Sequence, residues 1–263
     1  MIQIIIRNRL SCKKIIVKTI KYLVLLLFTV ILLNSCGVTY KKENLTQDLE
    51  KLVKKEAGQE SKAYIVGRTL YLDMQVKGLT PLAERETFAK ALRKVKIAGE
   101  DISRVVLSSD SDVKFMVVNA YDPTYTVLIR LVQNVDDTKS YFYMRISKSD
   151  YESRILVEKF VYSIADIIRD KHDISQNEFI GRLIVSKLNA LQIGGVFQYV
   201  AVRSKTLFLV LLEKLNVKNI SLIEDFLKEQ FKDYSKKYNN PFNLIELLNV
   251  NGIRITSVSL DAK

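Results

Sequence analysis

The sequence predicts an α+β protein, with antiparallel sheets packed by helices. One basis is strict alternation in short runs: Leu70, Leu72, Met74 and Val76 are separated by Tyr71, Asp73 and Gln75, the two-residue period of a strand with one buried face. A second is the set of apolar stripes at helical spacing that follow helix-start signals. A third is order: strand, strand, helix, strand, strand occurs twice, which leaves room for two related units.

The N-terminal segment comes first. Lys13, Lys14, Lys18 and Lys21 precede the uncharged run Tyr22 to Leu33, followed by Asn34, Ser35 and Cys36. A basic flank, an apolar stretch and a small-residue cut site are what export signals require. The residues from Asn34 to Tyr40 are too polar to complete a membrane span of roughly 20 apolar residues. Leu33-Asn34-Ser35-Cys36 resembles the lipobox of bacterial membrane lipoproteins. The resemblance covers these residues alone and implies cleavage between Ser35 and Cys36, with lipid attached to Cys36. It also implies an envelope location, with the periplasmic side of the outer membrane favoured where two membranes exist, because Gly37 replaces the aspartate that commonly retains such proteins at the inner one. Cys12 leaves with the signal, so Cys36 is the sole mature cysteine and no internal disulfide can form.

The formal charge of +12 halves on cleavage, since Arg7, Arg9 and the four lysines leave without any acid. The remainder has the charge of an ordinary domain, and no nucleic-acid partner is expected. Lys90, Arg93, Lys94 and Lys96 follow Glu84 and Glu86 and read as a solvated helix face. Few glycines and prolines argue against a disordered stalk.

Leu45, Leu49, Leu52 and Val53 predict a helix over 46–57, with Gly58 beyond it. Ala63 to Val66 and Leu70 to Val76 form a hairpin on Gly67-Arg68. Thr80-Pro81 starts a helix to about Ile97 that stops at Gly99, with Phe88, Leu92 and Val95 facing inward. Arg104 to Ser108 and Lys114 to Ala120 read as strands joined by Ser109 to Asp112. Val127 to Val132 suits either a strand or a helix turn, and Tyr141 to Ile146 looks strand-like.

Ser149-Asp150-Tyr151-Glu152 and Ser175-Gln176-Asn177-Glu178 have the capping-box form. They introduce two core helices, one carrying Ile155, Leu156, Phe160, Ile164, Ile167 and Ile168, the other running from Phe179 to Leu191 and ending at Gly194-Gly195. Val196 to Val202 and Thr206 to Leu212 read as strands. Ser221-Leu222-Ile223-Glu224 is a third box, opening a helix to about Tyr238. Leu244 to Val250 and Ile253 to Leu260 make a hairpin on Asn251-Gly252. The halves overlay as Thr69-Leu70-Tyr71-Leu72 on Thr206-Leu207-Phe208-Leu209, and as Ser111, Val113 and Phe115 on Asn251, Ile253 and Ile255. The chain thus divides into a cleaved signal (1–35), a lipidated tether and short helix (36–61), a first α+β unit (62–146), a helical connector (147–195) and a second α+β unit (196–263).

No nucleophile elbow, phosphate loop or dinucleotide fingerprint follows Cys36. His172, the one histidine, lies in a polar run without partners at ligand spacing. Asp110 with Asp112, and Asp136 with Asp137, are the acids a cation would use, although two acids in a turn are usually a turn. Tyr121, Tyr125, Tyr141, Tyr143 and Tyr151 suit either a recognition surface or half-buried strands. No cofactor, metal or catalytic residue is expected. The expected function is a lipid-anchored envelope lipoprotein presenting a non-enzymatic binding or assembly-accessory domain, its partners the membrane and an envelope protein. The alternative is a small-molecule or lipid-binding lipoprotein with a cleft between sheet and helices.

Overall fold

The computed structural model describes residues 40–80, 82–124, 127–161, 171–191, 196–212, 220–238 and 242–259. The signal with its Ser35-Cys36 cut site, Pro81, Tyr125, Ile164 to Ile168 and Gly194-Gly195 lie outside them. The order is helix α1 (Leu45–Glu56), strands β1 (Ser61–Val66) and β2 (Thr69–Gln75), helix α2 (Arg85–Leu107), strands β3 (Phe115–Asp122) and β4 (Val127–Asn134), helices α3 (Val135–Phe142) and α4 (Lys148–Glu152), then strand β5 (Leu156–Val161). Helix α5 (Gln176–Ala190), strands β6 (Phe197–Arg203) and β7 (Thr206–Leu211), helix α6 (Ile220–Tyr238) and strands β8 (Leu244–Asn249) and β9 (Arg254–Ser259) complete it.

The α+β class holds. One sheet runs β1-β2-β3-β4-β5, the other β6-β7-β8-β9. Antiparallel pairing was expected throughout, yet both sheets are mixed: β2 pairs with β3, and β7 with β8, in parallel. In each case a helix carries the chain back to the end it left, which a parallel pair requires.

The two ββαββ units match in hydrogen-bond detail. Both first hairpins turn on two residues, Val66 pairing with Thr69 and Arg203 with Thr206. Left-handed backbone serves both turns, at Gly67 (φ +57°) and at Ser204 and Lys205 (φ +47° and +63°), which suits the twist of the flanking strands. Thr69 stands opposite Phe115 as Thr206 stands opposite Leu244. The Arg68 carbonyl accepts from the amides of Lys114 (2.7 Å) and Phe115 (3.3 Å), and the Lys205 carbonyl accepts from those of Asn243 (2.8 Å) and Leu244 (3.3 Å). The overlay of Phe115 on Ile255 is corrected, because β3 corresponds to β8 rather than to β9.

Five local expectations are also corrected. Gly99 does not stop α2, which continues through Arg104 to Leu107; its buried stripe of Ala91, Val95, Ala98, Ile102 and Val105 outweighs the roughly 1 kcal/mol that one glycine costs a helix, while Leu92 faces outward. That helix starts at Arg85, since Thr80 is spent on a preceding turn in which its carbonyl accepts from Ala83 N at 3.0 Å. Tyr141 to Ile146 is the end of α3 and the turn after it. Ile155 to Val161 leaves helix for strand β5, because Ser147 rather than Ser149 caps a helix of five residues and the open side of β4 takes the segment that follows. Ser221 lies inside α6, already helical at Ile220.

Two cores flank the first sheet. Leu49 and Val53 of α1, with Val95 and Ile102 of α2, cover the face carrying Leu70, Leu72, Met116 and Val118. On the other face Tyr71, Phe115, Val117, Val132 and Leu156 meet α5, and that core continues into Leu207, Leu209, Ile245 and Leu247 of the second sheet and Leu227 and Phe231 of α6.

Asp101 of α2 is fully buried. Arg104 lies 3.9 Å away but donates to Glu56 at 2.6 Å. Burial first, then the charge of Glu56, pushes the Asp101 carboxyl up to about 6. The folded chain therefore holds this proton more tightly than the unfolded chain, whose aspartates titrate near ~4. The stability linked to it is present below about pH 4 and lost as pH rises through about 6. Asp101→Asn should gain on the order of 2–3 kcal/mol more over the parent chain at about pH 8 than at about pH 4 in urea unfolding. An equal gain at both would contradict this assignment.

Candidate functional site

Strand register aligns Lys62 with Asp73, Asp73 with Asn119, Asn119 with Arg130 and Arg130 with Glu158. A polar row therefore crosses the otherwise apolar face that meets α5. Buried polar groups persist where they are hydrogen-bonded, and the members beyond exposed Lys62 are. Asn119 donates to Asp73 Oδ1 at 2.9 Å, and Arg130 Nε donates to Asn119 Oδ1 at 2.9 Å. Lys171 Nζ donates to Asp73 Oδ2 at 2.5 Å and sits 3.7 Å from the centre of the Tyr64 ring.

The far end of the row is tied to α5. Ser175 caps this helix, its hydroxyl accepting from Glu178 N at 3.2 Å. The reciprocal half of the expected capping box does not form, because the Glu178 carboxylate faces His172 Nε2 (2.8 Å) and Arg182 Nη1 (2.9 Å) instead. Arg182 also donates through Nε (2.9 Å) and Nη2 to the two oxygens of Glu158. Burial alone would lower the Arg182 guanidinium, but its hydrogen bond to Glu158 and the charges of Glu158 and Glu178 outweigh that and raise it.

These groups line an open cleft of about 570 Å³ whose floor is α5, at Arg182, Val185, Ser186 and Asn189, and whose walls are β5 and β6. Among the described residues β5 pairs only with β4 and β6 only with β7, so each presents a free strand edge. A second open hollow, of about 650 Å³, lies at the other end of the row by Lys62, Tyr64, Asp73 and Tyr121. The cleft is the stronger candidate, because both ββαββ units contribute to it. Tyr199, on its β6 wall, also packs on Gly181 of α5, where an added Cβ would come within 2.6 Å of the ring.

The residues singled out from the sequence have separate fates. His172 joins the cleft, its ring on Glu178 and its carbonyl accepting from Tyr71 Oη at 2.7 Å. Asp110 and Asp112 hold Lys42, through its amide (3.0 Å) and its ammonium (2.8 Å). Asp136 and Asp137 form the first turn of α3, capped by Asn134. Asp137 is buried and accepts from Arg154 (2.7 Å) and Tyr238 Oη (2.5 Å). The rings of Tyr141 and Tyr151 stack at 4.7 Å, while Tyr143 projects into solvent. Lys90 and Lys96 pair with Glu86 and Glu100 on the outer face of α2.

Sequence reasoning missed Asn119, Arg130, Glu158 and Arg182. The readable signal was Arg130 within Val127 to Val132, since a charge inside an apolar run must be paired. Its partners follow only from register across strands distant in sequence. Arg182→Met should cost about 3–5 kcal/mol in denaturant unfolding, because two largely buried carboxylates lose their shared cation. Adding Glu158→Gln should recover part of that loss; a single-variant loss below about 1 kcal/mol would mean the cluster is solvated like a surface pair. Comparison with protein-family models, curated proteins and solved structures finds no match to this chain.

Proposed function

We propose that this chain is a bacterial envelope lipoprotein, cut before Cys36 and anchored there by lipid, that presents a non-enzymatic binding or assembly-accessory domain at the membrane surface. The basic flank, apolar run and Leu33 to Cys36 motif support the anchor. The observation that carries the binding reading is the cleft, a preformed hollow about 570 Å³ in volume bordered by the edges of β5 and β6. A free edge offers backbone donors and acceptors to an extended segment of a partner. Val157 on β5 and Val200 on β6 are half exposed and offer apolar purchase.

The small-molecule alternative has a specific observation in its favour, the charged cleft lining. Arg130, Lys159 and Arg182 alongside Glu158 and Glu178 suit a small polar ligand with charges of its own better than an acyl chain.

Globomycin should leave the full-length precursor, and Cys36→Ser should abolish lipid labelling and membrane retention. Normal processing of that variant would sink the anchor. For binding, a photoreactive amino acid at Ser186, on the cleft floor, should give a discrete protein adduct in native membranes. A small-molecule adduct would favour the alternative, and no adduct from Ser186 beside a robust one from a residue outside the cleft would defeat both.

A further inference from the structure

Helix α3 ends in an unusual way. The amide of Met144 donates to the Tyr141 carbonyl (2.9 Å) and that of Arg145 to the Ser140 carbonyl (2.8 Å), the paired bonds of a Schellman ending. The left-handed position of that motif normally goes to glycine, yet here it is Met144 at φ +57°. Its side chain is 92% exposed, so packing within the domain does not compensate the strain. Phe142 and Tyr143 beside it are 59% and 68% exposed. Three consecutive large apolar side chains thus project from a well-braced base. Tyr141 stacks on Tyr151 with nearly parallel rings (4°), and Asp137 is held by Arg154.

The exposed charge nearest the tip is basic, while the exposed acids of the same segment, Asp136 and Glu152, face Lys114 and Lys148. Lys139, Arg145 and Lys148 are exposed around the tip, with Arg145 5.5 Å from the centre of the Tyr143 ring and Lys148 3.7 Å from Glu152. Apolar and aromatic side chains ringed by lysine and arginine suit the interface of an anionic bilayer.

Chain length favours the bilayer among the surfaces that could cover this tip. Only four peptide units separate Cys36 from Tyr40, a reach of at most ~14 Å. Tyr40 is fixed where α2 ends, its amide donating to the Ser108 carbonyl (3.2 Å) and its backbone bridging Ser109. The loop from Ser109 runs into Phe115, which pairs with Asn134, the cap of α3. Helix α3 thus springs from the end of the first sheet at which the chain arrives from its anchor.

We propose that the Phe142 to Met144 tip inserts into the bilayer interface beside the lipid on Cys36, setting how the domain sits on the membrane. This rests on the lipoprotein reading. The test uses the lipidated protein with Met144→Cys, where the new thiol is the only free one because Cys36 carries lipid. Labelled there with an environment-sensitive dye and reconstituted in phosphatidylcholine vesicles containing some phosphatidylglycerol, it should emit to the blue of the same dye on Leu222→Cys and be quenched by spin-labelled lipid. Leu222 is a solvent-exposed control about 24 Å of helix from Tyr238, which contacts α3. Equal emission and quenching at both sites in vesicle-bound, acylated protein would overturn the tip while leaving the anchor intact. So would a protein crosslink from position 144 in native membranes without lipid quenching. Absence of acylation on Cys36 would instead remove the lipoprotein reading, and the tip with it.

Discussion

The structure depends on helix α5 being buried on two sides at once. Phe179 meets Phe115 of the first sheet at 5.4 Å between ring centres, while Gly181 brings the same helix against Tyr199 and Leu207 of the second. Ile180, Leu183, Ile184 and Leu188 fill the space between, and each such side chain is worth about 1.5–3 kcal/mol when fully buried. Arg182 adds direction to this adhesion, because its fork fits the Glu158 carboxylate in one orientation. The two sheets and their cleft are thereby fixed relative to one another before anything binds.

A repeated plan with unequal additions explains where the cleft lies. Both units fold as hairpin, crossover helix and hairpin, with the same bifurcated bond at the start of the parallel pair. The first unit then adds α3, α4 and β5 beyond its fourth strand. Strand β5 becomes an edge facing the wall formed by β6, the opening edge of the second unit, and α5 floors the gap. The cleft arises from the departure from symmetry.

Local chemistry was legible in the sequence to the extent that it is decided locally. The Gly67-Arg68 hairpin and the Ser175 cap follow from backbone preferences of a few residues and stand, while the hairpin at Asn251-Gly252 forms with a longer turn, in which Asn249 rather than Val250 bonds Ile253. The errors came where distant partners overrode local pattern. Ile155 to Val161 carries a plausible helical stripe, but the free side of β4 captures it as a strand. Arg104 to Leu107 looks β-prone, yet its apolar residues continue the buried stripe of α2. The polar row was illegible for a related reason: Asp73, Asn119, Arg130 and Glu158 each look like interruptions until pairing sets them side by side. The expected Ser175–Glu178 reciprocity failed because a partly buried Arg182 is a stronger partner for a carboxylate than a backbone amide.

The central claim is that α5 makes both sheets and the cleft one cooperative body, and native-state hydrogen exchange across a denaturant series tests it most directly. Amides from Ile180 to Leu188 should open only with the free energy of global unfolding, the same as the central strands β2, β3 and β7. If α5 and the second sheet opened at a distinctly lower free energy while the first sheet stayed protected, the two units would be separate bodies in loose contact, and the cleft between them would not be a preformed site.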